Sequence, residues 1–125
     1  MSLTVSSENF AYDSLFAGTQ VQPVVADAVT IASGAGVLAR GTVLGKVTAS
    51  GKCVAVNNAL ANGAQSIYAI LAETVDATSA DAAAPAYFSG EFNEAALVFG
   101  GDDTAADHKD AARAIGIFFK TNVSA

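Results

Sequence analysis

Hydrophobic and polar positions fall into short runs, most of them alternating with the period of two that marks a β-strand. Pro23 introduces Val24-Val25-Ala26 and a run ending in Val29-Thr30-Ile31, which predicts a first strand. In RGTVLGKVTASGKCVAV, residues 40–56, Val43, Gly45 and Val47 alternate with Thr42, Leu44, Lys46 and Thr48. Ser50-Gly51 then supplies turn chemistry before Lys52-Cys53-Val54-Ala55-Val56, so this stretch predicts a β-hairpin. Residues 57–63 are rich in Asn, Ala and Gly and make a loop. SIYAILAETV, residues 66–75, is apolar on both alternating faces, with Ile67, Ala69 and Leu71 on one and Tyr68, Ile70 and Ala72 on the other. A strand covered on both sides fits best, and a buried helix is the alternative that periodicity leaves open. Residues 76–84 read as a small-residue loop, and PAYFSGEF, residues 85–92, as a further strand.

The pattern then lengthens to that of two short helices. Asn93 is placed to cap EAALVF, with Gly100-Gly101 to end it. Thr104, followed three residues later by Asp107, forms a capping box with Asp in the usual Glu position. That helix runs through AADHKDAARAI and stops at Gly116, before a closing strand at Ile117-Phe118-Phe119. No internal repeat emerges. The expectation is a single α+β domain, mainly β, with two short helices.

Residues 1–22 fit neither period and read as an extended N-terminal arm, with residues 23–125 as the domain proper. The arm is odd in its apolar content: Phe10, Tyr12, Leu15 and Phe16 lie far upstream of any core-forming run, accompanied by Glu8 and Asp13 and no base. Leu3 and Val5 are two apart, as are Phe10 and Tyr12, so each pair points the same way from an extended chain. From the residues alone two fates are open. The arm folds back to complete a small core, or it buries its aromatics against another protein.

Composition narrows the function. Of 125 residues, 52% are hydrophobic and only 14% charged, which argues against disorder over most of the chain and suits close packing of small side chains. The net charge of −6 is concentrated in a block from Glu73 to Asp110 relieved only by Lys109, a surface that repels phosphate and argues against nucleic-acid binding. No Lys, Arg or His precedes Arg40, so a basic secretion n-region is not expected, and no apolar run approaches a membrane span. One cysteine excludes an intramolecular disulfide.

The search for chemistry finds little. GAGVLA, with Gly34, Gly36 and Ala39, satisfies a loose dinucleotide pattern. Yet the residues after it read as strand rather than helix, and no acid follows until Glu73 to hold a ribose, so a β-turn is the better reading. His108 and Cys53 are the lone members of their kinds. A Cys/His dyad lacks an orienting third group, and one of each makes a zinc site improbable. Cys53 instead reads as a small core residue and His108 as a residue at a core margin. Asp102, Asp103, Asp107 and Asp110 lack the order of a calcium loop and already have a role near a helix N-terminus. The expectation is a chain with no catalytic, cofactor-binding or metal-binding site and no small-molecule substrate, an assembly part rather than an enzyme.

VTIASGAGVLARGTVLGKVTASGK and YAILAETVDATSADAAAPAYFSGEFNEAAL resemble the phage lambda-type head decoration proteins, densely from Val29 to Phe99 and more weakly beyond. The resemblance implies a small α+β fold and a non-enzymatic cement protein of the virion. It implies a homotrimer, made in the host cytoplasm, that binds the major capsid protein on the outside of the expanded head. Its seats there are the three-fold and quasi-three-fold positions, and it stabilises the head against packaged DNA. It also implies that the N-terminal segment, roughly Ser2 to Gly18, reaches the shell, which makes Leu3, Val5, Phe10, Tyr12, Leu15 and Phe16 candidate contacts. The turn around Glu91, Phe92 and Asn93 is a candidate trimer contact. The alternative is a phage tail, fibre or host-adhesion module, also without catalytic activity.

Overall fold

A computed structural model of the chain describes Leu15 and residues 26–120. The alternating runs become strands β1 (Ala26–Ile31), β2 (Gly36–Leu38), β3 (Val43–Lys46), β4 (Cys53–Ala55), β5 (Ile67–Leu71), β6 (Val75–Ala77), β7 (Ala82–Tyr87), β8 (Gly90–Asn93) and β9 (Ile117–Lys120). Helix α1 spans Ala105–Ala114, and a single 3-10 turn covers Glu94–Ala96.

Five strands close a small barrel in the order β1-β4-β3-β5-β7. The β3–β4 hairpin pairs Leu44 with Ala55 and Lys46 with Cys53, as the sequence predicts. β5 runs between β3 and β7, with Ile70 opposite both Val43 and Tyr87, so it is the central strand its two apolar faces call for. β7 pairs along its whole length with β1, from Ala26 opposite Tyr87 to Ile31 opposite Ala82. A parallel contact between Ile31 and Cys53 closes the ring.

The core has two compartments. Val29, Ile31, Leu44, Cys53, Ala69, Leu71, Ala84 and Ala86 project from alternate barrel positions into one cluster, joined by Leu38 and Ala77 from the β2–β6 ribbon. A five-stranded barrel is narrow, and its alanines are the size that fills it. The second cluster lies outside the barrel wall, where Val43, Ile67, Ile70 and Tyr87 meet Phe92, Ala112, Ile117 and Phe119 from the β8–β9 and α1 layer. Gly45 marks a close backbone approach within this frame: a Cβ there would collide with the backbone of Ala64.

Three expectations change. The loop at residues 76–84 contains strand: β6 occupies Val75–Ala77 and pairs with β2, with Leu38 opposite Val75. Such short ribbons are created by their partner and leave no period of their own. PAYFSGEF is two strands rather than one, because after Tyr87 the chain leaves the barrel. Gly90 then pairs in parallel with Ile117 in a separate sheet. The helix expected after Asn93 shrinks to a 3-10 turn. Asn93 does cap it, accepting the Ala95 N–H at 3.1 Å. Helix growth then stops, because Val98 accepts the Val43 N–H at 2.8 Å and donates to Gly41 at 3.1 Å.

Helix α1 starts at its expected box, the Asp107 carboxylate accepting the Thr104 backbone N–H at 2.8 Å. Among the described residues no helix is long and apolar enough to cross a membrane.

Candidate functional site

The arm meets the domain at Leu15. Its side chain is 2% exposed and belongs to the outer core cluster with Phe92 and Ile117, and its carbonyl accepts the Asn93 N–H at 2.7 Å. Leu15, expected among the arm's contacts with another protein, is thus seated in its own domain, where β8 offers its carbonyl an N–H and the cluster an apolar seat. Leu3, Val5, Phe10, Tyr12 and Phe16 lie outside the described residues.

The SGEFNE turn, expected at a trimer contact, lies on β8 and the 3-10 turn after it. Phe92 is fully buried inside one subunit, its ring 5.9 Å from that of Tyr87, and Asn93 is buried with its side chain committed to capping. The apolar bulk of Phe92, which suggested a contact between subunits, is absorbed by the subunit's own core. Glu91 is half-buried and sits opposite Phe118 in the β8–β9 register.

The residues considered and set aside for chemistry are structural. Gly34 lies in the turn between β1 and β2 and Gly36 opens β2, at φ of 91° and 84°, conformations that side chains with a Cβ rarely adopt. Cys53 is buried in the barrel, where desolvation raises its thiol above the ordinary value and Lys46 offsets this in part. His108 is buried on α1, its ring stacked on Phe99 at 5.8 Å and its Nε2 bonded to Asp103. The two belong to different neighbourhoods and form no dyad. Asp103 also accepts the Asn58 N–H at 2.8 Å, which ties the loop after β4 to the start of α1. Among the described residues no group of His, Cys, Asp and Glu is arranged to hold a metal ion.

The bases that sequence reading passed over divide into two sets. Three are absorbed by the barrel and its loops. Arg40 donates to the Ala72 carbonyl at 2.7 Å and to the Tyr87 hydroxyl at 2.9 Å, Lys46 lies over the Tyr68 ring, and Lys52 pairs with Asp81 at 2.6 Å. The other three, Lys109, Arg113 and Lys120, line a cleft of about 320 Å³ between α1 and β9 together with Phe118 and Phe119. The signal was present in the sequence. Lys109 and Arg113 are four apart on a helix, and Phe118 and Lys120 two apart on a strand. The surrounding acids concealed it.

No curated protein matches the chain. The family model described as Bacteriophage lambda head decoration protein D matches residues 4–116, a span that takes in most of the arm, the barrel and α1. That span agrees with the resemblance carried by the hairpin, the central strand and the SGEFN turn. The chain belongs to the phage lambda head decoration protein family, a family of structural proteins of the phage capsid.

Proposed function

We propose that the protein is a trimeric cement of the phage head. It binds the major capsid protein on the outer surface of the expanded shell, at the three-fold and quasi-three-fold positions, and stabilises the shell against packaged DNA. The family match over residues 4–116 carries this reading. The position of Leu15 supports it: the segment before it is tied to β8 at that point, and each of its residues adds roughly 3.3–3.6 Å of reach when extended. Leu3, Val5, Phe10 and Tyr12 are the arm's shell contacts in this reading, with Phe16 beside the anchor. An extended arm attaches by adding main-chain hydrogen bonds to a sheet edge while alternate side chains fill pockets. Three arms on one trimer multiply weak attachments.

Because Leu15 belongs to the core, the informative truncation removes residues 2–14 and stops short of it. The truncated protein is expected to fold, to have the mass of a trimer, and to lose binding to expanded shells stripped of decoration protein. Full binding by the truncated chain would refute the arm's role, and a monomeric mass for the parent would refute the trimer.

A further inference from the structure

The cleft between α1 and β9 is anomalous for this chain. The protein carries 12 acids against 6 bases, yet three of the six bases surround this one opening. Lys109 has Glu94 at 3.6 Å and Arg113 has Asp110 at 3.8 Å, both long and partly or fully solvated pairs that supply little attraction. Among the described residues Lys120 takes part in no ion pair. Among these bases the cleft has one exposed apolar ring, Phe118, which is 37% exposed.

Two features of the fold say what fits. Among the described residues β9 pairs only with β8, so its far edge carries main-chain donors and acceptors with no strand beside them. Phe118 and Lys120 project from the same face of that strand, so a chain added along the edge places alternate residues opposite them. An apolar residue then meets Phe118 and an acidic one, two positions away, meets Lys120, with Lys109 and Arg113 closing the positive rim. The location is equally specific. Lys120 is the register partner of Asn93, and Asn93 is the residue that holds Leu15. The arm's anchor at Leu15 and the cleft therefore flank the same two-stranded ribbon, Leu15 on the β8 side and the cleft on the β9 side.

We propose that this cleft is a second contact with the shell, taking an extended segment of the shell protein in which a carboxylate stands two residues from an apolar side chain. The inference rests on the reading of the chain as a capsid-binding protein and adds a site that the arm does not supply. Charge complementarity selects the occupant: the cleft is the positive feature of a negative protein, and a short acidic strand reaches it without bringing a long polyanion against the acidic remainder of the surface.

The test has two arms. Stripped expanded shells are titrated with the parent and with a triple variant, Lys109→Glu, Arg113→Glu and Lys120→Glu, whose fold is checked by circular dichroism. The variant is expected to bind at least tenfold more weakly, and the parent's affinity to fall with salt while the variant's does not. Equal binding by the two would overturn the proposal. In the second arm a blocked peptide alternating Glu and Phe is titrated into labelled parent protein, with Phe118→Ala as a milder control. Amide shifts are expected to concentrate in residues 109–120 and to weaken in the control. Three results would overturn the assignment: no shift, a stronger response to a short DNA strand, or a response seen only after residues 2–14 are removed. Failure of the parent to bind shells would instead refute the capsid reading, and the peptide arm would still decide what the cleft recognises.

Discussion

The imidazole Nε2 of His108 lies 2.5 Å from Asp103 Oδ2, with the two side chains only 3% and 2% exposed. A buried carboxylate is costly unless it is bonded, and Asp103 Oδ2 is bonded twice, to His108 and to the Asn58 N–H. This pair fastens the loop after β4 to the start of α1. It does structural work in a place where a lone histidine invited a catalytic reading.

His108→Ala leaves that carboxylate buried with half its partners and opens a space beside Phe99. The expected cost is about 3 kcal/mol in urea-unfolding stability. Asp103→Asn keeps the shape and is expected to cost less. A shell-binding defect in His108→Ala without any loss of stability would contradict the structural role.

Leu15→Ala removes a fully seated side chain and is expected to lower stability by about 2–4 kcal/mol. Removal of residues 2–14 is expected to leave the unfolding midpoint near that of the parent. The pair of measurements separates anchoring from reach. An unchanged midpoint in Leu15→Ala would place the anchor elsewhere.

Asp81 accepts from Lys52 at 2.6 Å and from the Ser33 N–H at 2.8 Å, and these bonds hold its carboxyl below the ordinary 3.8. A depressed carboxylate contributes stability above its unfolded pKa and loses it as pH falls through the lower folded value. The stability gap between parent and Asp81→Asn is therefore expected near neutrality and to close below about pH 4. A gap of the same size at strongly acid pH would exclude this linkage.

Cys53 is sealed in the barrel and its thiol is raised by burial. The neutral thiol is favoured in the folded state, so this contribution is present below the unfolded pKa and fades as pH rises through the folded one. Thiol labelling in mildly alkaline buffer is expected to proceed only as fast as the protein unfolds, and rapid labelling of the native protein would refute the burial.

Gly45→Ala drives a Cβ into the Ala64 backbone, which has no rotamer to yield with. A loss of about 1–3 kcal/mol is expected from thermal or urea unfolding.

Elements whose chemistry is local are legible in the chain alone. Ser50-Gly51 between two alternating runs specified the β3–β4 hairpin, Thr104 and Asp107 specified the start of α1, and the two apolar faces of residues 66–75 specified the central strand. The chain also carried the family, through the order of those pieces. Features that depend on contact between distant segments emerge only in the folded chain. β6 exists because β2 is beside it. The turn after Asn93 stays short because Gly41 and Val43 compete for Val98. Leu15 and Phe92 are core residues because β8 and the barrel wall enclose them. Apolar character says that a side chain must be buried and is silent about against what. Likewise, the net charge concealed Lys109, Arg113 and Lys120, which face one cleft only because α1 turns back onto β9.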